Sequence, residues 1–216
     1  MKTVIIGANG FIGSALTIEA LARGHQVLAI VRDAAKLTAQ LPSVTGQLTV
    51  QSQDVFDTAG LSAALQGADV VISAFSGHSA SDVRAYYEAG VASILTAVKA
   101  AKARLVLVGG AASLLLPDGS RLLDSPQFPA AYRASAEGAF AALQLLQQET
   151  SLAWSYLSPA AEIFPGAALG QYRLGGDQLL TDAQGNSRIS TGDYAKALLD
   201  EAEAPRHLRQ RFSIAY

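Results

Sequence analysis

Solid apolar runs punctuate the chain: Val4-Ile5-Ile6, Val27-Leu28-Ala29-Ile30-Val31, Val70-Val71-Ile72 and Leu105-Val106-Leu107-Val108 carry no polar alternation. A strand that is apolar at every position has both faces buried, which predicts a parallel sheet covered by helices on both sides. Strands are placed at residues 1–6, 27–32, 48–51, 69–73, 104–108 and 154–157. Between them the period changes. Ile12, Leu16 and Ala20 recur at steps of four, and long helical stretches run from about 80 to 102 and from about 132 to 149. The second of these puts Ala136, Phe140, Leu143 and Leu146 on one face and Glu137, Gln144 and Gln148 on another. Alternating strands and helices predict an α/β doubly wound sheet in the order 3-2-1-4-5-6, with ligands at the carboxyl ends of the strands near the switch between the first and fourth.

The last quarter reads differently. After Ser158-Pro159 come a glycine-rich stretch and short candidate strands at Gln178–Leu180 and Arg188–Ser190. A helix then starts at an N-cap supplied by Ser190 or Thr191, with Asp193 in its first turn and Tyr194, Leu198 and Leu199 on its apolar face up to about Ala204. Arg211–Tyr216 closes as a strand. The chain is expected to form one domain over 1–216, with a core over 1–158 and a small C-terminal subdomain over 159–216 that walls the substrate side of the crevice.

Composition narrows the function classes. The 216 residues are 50% hydrophobic and 16% charged, enough for one sizeable core. The net charge of −2 has no block of like charges behind it, so neither a nucleic-acid footprint nor a polybasic membrane patch is indicated and a small-molecule partner is expected. The absence of cysteine excludes disulfides, a Cys-ligated zinc and a thiolate nucleophile, and no metal site is expected. Met1-Lys2 leads straight into the first strand and no apolar run approaches the roughly 20 residues of a membrane helix, so a cytoplasmic location is expected. Nothing in the pattern sets an oligomeric state.

The first strand runs into Gly7-Ala8-Asn9-Gly10-Phe11-Ile12-Gly13, a G-x-x-G-x-x-G loop that opens a helix. Helix N-termini present unpaired N–H groups and a positive dipole end, and glycines let a diphosphate approach the main chain closely. Gly7, Asn9, Gly10, Phe11, Ile12 and Gly13 are therefore the candidate nucleotide cradle. At the end of the second strand an acidic residue would accept from a ribose 2′-OH, whereas an arginine pairs with a 2′-phosphate. Arg32 stands there, with Asp33 pointed away from it by strand alternation and Lys36 adding positive charge nearby, so NADP(H) is favoured over NAD(H). A solvated strand-end charge is the alternative.

Gly7-x-x-Gly10-x-x-Gly13, Val31-Arg32-Asp33, Gly109-Gly110-Ala111-Ala112-Ser113 and Ser158-Pro159-Ala160 resemble the atypical short-chain dehydrogenase/reductases. The tail, with Tyr172-Arg173-Leu174-Gly175-Gly176-Asp177, Ile189-Ser190-x-x-Asp193-Tyr194-Ala195 and Gln210-Arg211-Phe212, is similar to bacterial proteins described as NAD(P)H–flavin reductases, related in fold to biliverdin reductase B. The resemblance spans essentially the whole chain and implies a Rossmann-like fold. It implies that Asp54 and Val55 border the adenine, that Ser73, Ala74 and Phe75 run beside the diphosphate and ribose, and that Gly109, Gly110 and Pro159 contact the cofactor. For Asp54-Val55 and Ser73–Phe75 an ordinary loop is the alternative.

Typical members of that superfamily use Tyr-x-x-x-Lys on the helix after the fifth strand, the lysine lowering the tyrosine pKa so that it can protonate a carbonyl oxygen. The corresponding segment here is Tyr132-Arg133-Ala134-Ser135-Ala136, with alanine where lysine is required. Arg133 lies about 100° around the helix from Tyr132 and cannot substitute. This points away from alcohol–ketone interconversion and epimerisation, and toward hydride transfer to a flavin- or quinone-like acceptor, where stacking and alignment carry the catalysis. A nucleotide-sensing regulator of the NmrA-like kind, which binds NAD(P) without turnover, is the alternative. Ser113, Tyr132 and His78 are the weak catalytic candidates, and Ser113, Leu114 and Phe164, with Tyr172 as a further member, are expected to form an apolar slot under a lid over 113–129. The alternative for those leucines is core cover, and for His78 a surface loop. His25 is expected to be structural, His207 solvated and Trp154 strand core.

Overall fold

The computed structural model describes residues 1–40, 46–77 and 80–216, with no side chain described for 38–40. His78 lies outside these residues. The elements run β1 (Lys2–Ile6), α1 (Phe11–Ala22), β2 (Gln26–Val31), α2 (Ala34–Gln40), β3 (Gln47–Ser52), α3 (Thr58–Ala64), β4 (Val70–Ser73), α4 (Val83–Ala101), β5 (Arg104–Val108), α5 (Ala130–Gln148), β6 (Trp154–Ser158), β7 (Glu162–Phe164), β8 (Arg173–Gly175), β9 (Arg188–Ser190), α6 (Thr191–Glu203) and β10 (Gln210–Ala215). They build an eight-stranded sheet in the order β3-β2-β1-β4-β5-β6-β10-β8. Only the β10–β8 pairing in it is antiparallel. The order over β1 to β6 is the one expected, and the chain reverses direction across the sheet between β1 and β4.

β1, β2, β4, β5 and β6 divide their side chains between two cores. Ile5 joins Leu16 and Ala20 of α1 with Tyr194, Leu198 and Leu199 of α6 on one face. Val4 and Ile6 join Val91, Ile94 and Val98 of α4 with Leu143 and Leu146 of α5 on the other. Trp154 is 2% exposed in the second core, as its strand pattern predicts. The helix starts follow local chemistry: Asp57 accepts from the Gly60 N–H at α3, Asp82 from the Ala85 N–H at α4, and Ser190 from the Asp193 N–H at α6.

The C-terminal quarter is divided between two roles. Phe212 and Ile214 are each 1% exposed, and β10 buries them by adding beside β6, while α6 packs against α1. The residues over the crevice are those near β7, which pairs with β9 in a separate two-stranded ribbon. A strand at Gln178–Leu180 is not formed. That segment spends its backbone groups on Leu115, whose N–H donates to the Asp177 carbonyl and whose carbonyl accepts from the Leu179 N–H, and on Ser213, whose hydroxyl donates to the Gln178 carbonyl, and β10 pairs with Arg173–Gly175 instead. His207 is not solvated either: its ring stacks nearly parallel on that of Phe212 with centres 4.0 Å apart, and its Nδ1 is 2.8 Å from a Glu201 carboxylate oxygen. His25 is structural, bridging Thr3 Oγ1 and Glu203.

Candidate functional site

The loop after β1 is shaped by contacts that admit no side chain. Gly7 has φ +78°, and a Cβ there would stand 2.7 Å from the Ala74 carbonyl oxygen at the end of β4. At Gly13 a Cβ would stand 2.0 Å from the Gly7 carbonyl oxygen, so α1 starts almost in contact with the loop. Gly10 is the N-cap, contributes no side-chain cap, and no acidic residue occupies the first turn of α1. The N–H groups of that turn have no intrahelical acceptors and face an open approach, which fits a diphosphate. Asn9 lies within the turn, and Phe11 is 54% exposed beside it.

A cavity of about 580 Å³ opens at the carboxyl ends of β1, β4, β5 and β6. Gly10, Phe11 and Ile12 line it from α1, Ala74, Phe75 and Ser76 from the end of β4, Val108 to Ala112 from the end of β5, and Pro159, Ala160, Ala161 and Ile163 from the end of β6. Leu122, Ser125, Gln127, Phe128 and Pro129 close it from the connection before α5, and Tyr132, Ser135, Ala136 and Ala139 from α5 itself. Tyr87 of α4 completes the lining. None of these described residues carries a charge at neutral pH. Its polar side chains are hydroxyls and one amide.

Two buried tyrosines that the sequence reading treats only as strand and helix core fix the end of β5. Tyr156 is fully buried, its hydroxyl accepting from the Gly110 N–H at 2.9 Å and donating to the Ala139 carbonyl at 3.0 Å. Tyr194 donates to the Leu157 carbonyl at 2.6 Å and accepts from the Gly109 N–H at 3.3 Å. Burial pushes the Tyr156 phenol up to about 12 and that of Tyr194 well above the ordinary range, so both stay neutral and serve as props. A tyrosine inside an otherwise apolar run is the signal for such a role, because a buried hydroxyl needs a partner.

Of the other expected cofactor residues, Arg32, Asp54 and Val55 lie on the opposite side of the β1 loop, after β2 and β3, while Ser73 ends β4 on the cavity side. Arg32 follows β2 and is exposed, while the Asp33 carboxylate is engaged by the Lys36 N–H at 3.2 Å and so caps α2. Asp54 follows β3, where its carboxylate accepts from the Phe56 N–H at 3.0 Å, and Val55 is 7% exposed. Ser73 is buried, its Oγ accepting from the Phe75 N–H at 3.4 Å. The layout suits an extended ligand whose phosphates cross the Gly10 turn, with one end over β2 and β3 and the other in the cavity.

The expected acceptor slot is corrected. Leu114 is 0% exposed and belongs to the core under the connection, where burying a leucine contributes about 1.5–3 kcal/mol. Ser113 is 5% exposed, and its Oγ accepts from Arg211 Nη1 at 3.0 Å, which ties the start of the connection to β10. Phe164 stacks under the Arg188 guanidinium at 4.8 Å and near the Tyr216 ring, while its neighbour Ile163 faces the cavity. Tyr172 bonds Asp200 at 3.1 Å on the outer side of α6. Tyr132 does line the cavity, at its mouth and 63% exposed, with Ala136 one turn further in. Arg133 turns away and sits 5.6 Å from the Phe128 ring centre. Ser125, Gln127 and Phe128 line the cavity from within the connection expected to act as a lid, though not singled out there, and Ile163 is a lining residue that the sequence reading missed.

A doubly wound sheet whose topological switch carries a glycine-opened helix N-terminus and an adjoining cavity defines a dinucleotide-binding protein of Rossmann type. Residues 7–205 match the NAD(P)H-binding family, and the chain belongs to it. It is similar to the Bacillus subtilis protein YwnB, itself uncharacterised, with 39% identity over 99% of this chain and 98% of that one. Among solved structures it resembles a Bacteroides thetaiotaomicron protein provisionally named an epimerase, at 39% identity, TM-score 0.90, and coverage of 100% of this chain and 96% of that one. It also resembles a Streptococcus pneumoniae protein provisionally named an NADH-flavin reductase, at 34% identity, TM-score 0.85, and coverage of 100% and 99%. Among the described residues no helix is long and apolar enough to cross a membrane.

Proposed function

We propose that the chain is an NADPH-dependent reductase that passes hydride to a flat, uncharged acceptor of flavin or quinone type. NADPH, a solvent proton and the oxidised acceptor would give NADP⁺ and the two-electron-reduced acceptor. The observation that carries this reading is the cavity itself: about 580 Å³ beside the glycine cradle, largely apolar, and lined among the described residues by no charged group. Bound across the Gly10 turn, the nicotinamide would supply the hydride. The protein's part is then to hold donor and acceptor face to face and to exclude water. Gly7, Asn9, Gly10, Phe11, Ile12 and Gly13 would hold the diphosphate, Asp54 and Val55 would border the adenine, and Ser73–Phe75, Gly109, Gly110 and Pro159 would flank the ribose and nicotinamide. Arg32, exposed at the end of β2, would take the 2′-phosphate.

The names of the two similar structures point to different chemistries, and the cavity favours one. Epimerisation at carbon needs groups that remove and return a proton, and the described lining offers only hydroxyls and an amide, its tyrosines without the lysine, histidine or carboxylate that would activate them. The test is absorbance of reduced nicotinamide with purified protein, NADPH, and either lumiflavin or menadione. Turnover well above the uncatalysed rate supports the reductase. Tight NADPH binding without turnover of either acceptor would refute it in favour of a nucleotide-sensing protein of the NmrA-like kind.

A further inference from the structure

Tyr87 is set apart from the other buried tyrosines by what its hydroxyl lacks. It is 6% exposed and lines the cavity, yet its hydroxyl has no hydrogen-bond partner among the described residues, whereas Tyr156 and Tyr194 each donate and accept. Nor is it sealed in. Among the described residues the fully enclosed side-chain polar atoms without partners are Arg104 Nε and Ser158 Oγ, so the Tyr87 hydroxyl keeps some accessible surface, and the residue lines the cavity. A phenylalanine would fill the same volume without leaving a buried polar atom unsatisfied.

The ring is held in place by backbone. A Cβ at Gly138 of α5 would stand 3.0 Å from Tyr87 Cβ, and one at Gly77 would stand 3.3 Å from the same atom, so both glycines let α4 seat this residue closely. The Phe75 ring lies 5.9 Å away at a tilt of 38° and supports one side. Burial pushes the phenol far above its ordinary range, so it keeps its proton.

We propose that the Tyr87 hydroxyl donates a hydrogen bond to a ring carbonyl oxygen of the acceptor, selecting flat, uncharged carbonyl-bearing rings such as isoalloxazines and quinones. This rests on reading the cavity as the acceptor site of a reductase. A phenol that stays neutral suits a carbonyl oxygen and offers nothing to a carboxylate beyond one hydrogen bond. With no cation in the described lining, an acceptor carrying carboxylates would have to keep them outside.

The experiment compares wild type with Tyr87→Phe, each saturated with NADP⁺, by quenching of lumiflavin fluorescence, alongside NADP⁺ affinity, thermal melting and the Michaelis constant for menadione. Loss of one buried hydrogen bond is expected to weaken lumiflavin binding about tenfold and to raise the menadione Michaelis constant similarly. NADP⁺ affinity should not change, and the melting temperature should stay level or rise, since no bond within the protein is lost. A variant that binds lumiflavin as wild type does overturns the assignment, as does one that loses NADP⁺ and lumiflavin affinity together. If wild type turns over menadione while Tyr87→Phe matches it in every reading, the assignment alone falls. If wild type neither binds lumiflavin nor oxidises NADPH with menadione or lumiflavin, the reductase reading falls and takes the assignment with it.

Discussion

Gly10→Val separates the nucleotide cradle from the fold around it. A Cβ at Gly10 meets only the Gly7 carbonyl oxygen, at 3.2 Å, so the loop has to give by a few tenths of an ångström. Its φ of −79° and ψ of 175° are extended values that valine adopts readily. The two added methyl groups would occupy the approach to the first turn of α1, where a diphosphate would accept from backbone N–H groups. Hydrogen bonds to a charged group contribute about 1.5–3 kcal/mol each, so losing two costs about 3–6 kcal/mol, roughly 10²–10⁴-fold in Kd. The assay is titration of NADPH fluorescence with a thermal melt on the same samples. The expected outcome is lost binding with a melting temperature within a few degrees of wild type. Gly13→Ala is the counterpart: its Cβ would stand 2.0 Å from the Gly7 carbonyl oxygen, so it should lose the fold along with the binding. A Gly10→Val protein that binds NADPH normally would refute the cradle, and one that melts like Gly13→Ala would refute the claim that the position is open.

Arg32→Asp is expected to weaken NADPH binding at least tenfold, about 1.4 kcal/mol, while leaving NADH nearly unchanged, and equal losses for both would place the 2′-phosphate elsewhere. Tyr132→Phe should keep most of the turnover with menadione, since hydride transfer to such an acceptor needs no phenolic proton; a loss of about 10²–10⁴-fold would instead identify a positioned general acid. Glu201 is 3% exposed and pairs with Arg104 at 2.8 Å; burial pushes its carboxyl up, but hydrogen bonds from His207, Ser155 and the Arg206 and His207 N–H groups outweigh this and hold its pKa below the ordinary value. A lowered folded pKa means that this stability is full above the ordinary carboxylate pKa of about 4.3 and is lost as pH falls through the folded value, so urea melts from pH 6 downward should show wild type losing its advantage over Glu201→Gln, an advantage of about 3–5 kcal/mol at pH 7. Parallel pH profiles for the two proteins would contradict it.

The sheet was legible because its evidence is local. Val4-Ile5-Ile6 and Val70-Val71-Ile72 are apolar at every position, a pattern that only a strand covered on both faces can satisfy, and the short helical connections then leave few orders for six parallel strands. The C-terminal quarter was less so. Gln178-Leu179-Leu180 has as much strand propensity as Arg173-Leu174-Gly175, and what decides between them is that Leu115, more than sixty residues earlier in the chain, takes the hydrogen bonds of 177–179. No window of sequence contains that competition.

The same asymmetry runs through the site. The cradle is written in consecutive residues, because a turn that must admit phosphate and touch Ala74 has to be glycine at the points of closest approach. The cavity is assembled from side chains whose availability depends on distant partners. Ser113 has a free hydroxyl in the sequence and an occupied one in the fold, since Arg211 donates to it at 3.0 Å. Tyr87 is the reverse case. With Val91, Ile94 and Val98 it makes an apolar face on α4 that looks like core, and its ring is core. Its hydroxyl stands out only after the partners of Tyr156 and Tyr194 have been counted and none is found for the third among the described residues. A polar atom that folding leaves unsatisfied beside an open cavity has a cost that binding can remove, which is why Tyr87, rather than the more exposed Tyr132, is the side chain on which acceptor choice should turn.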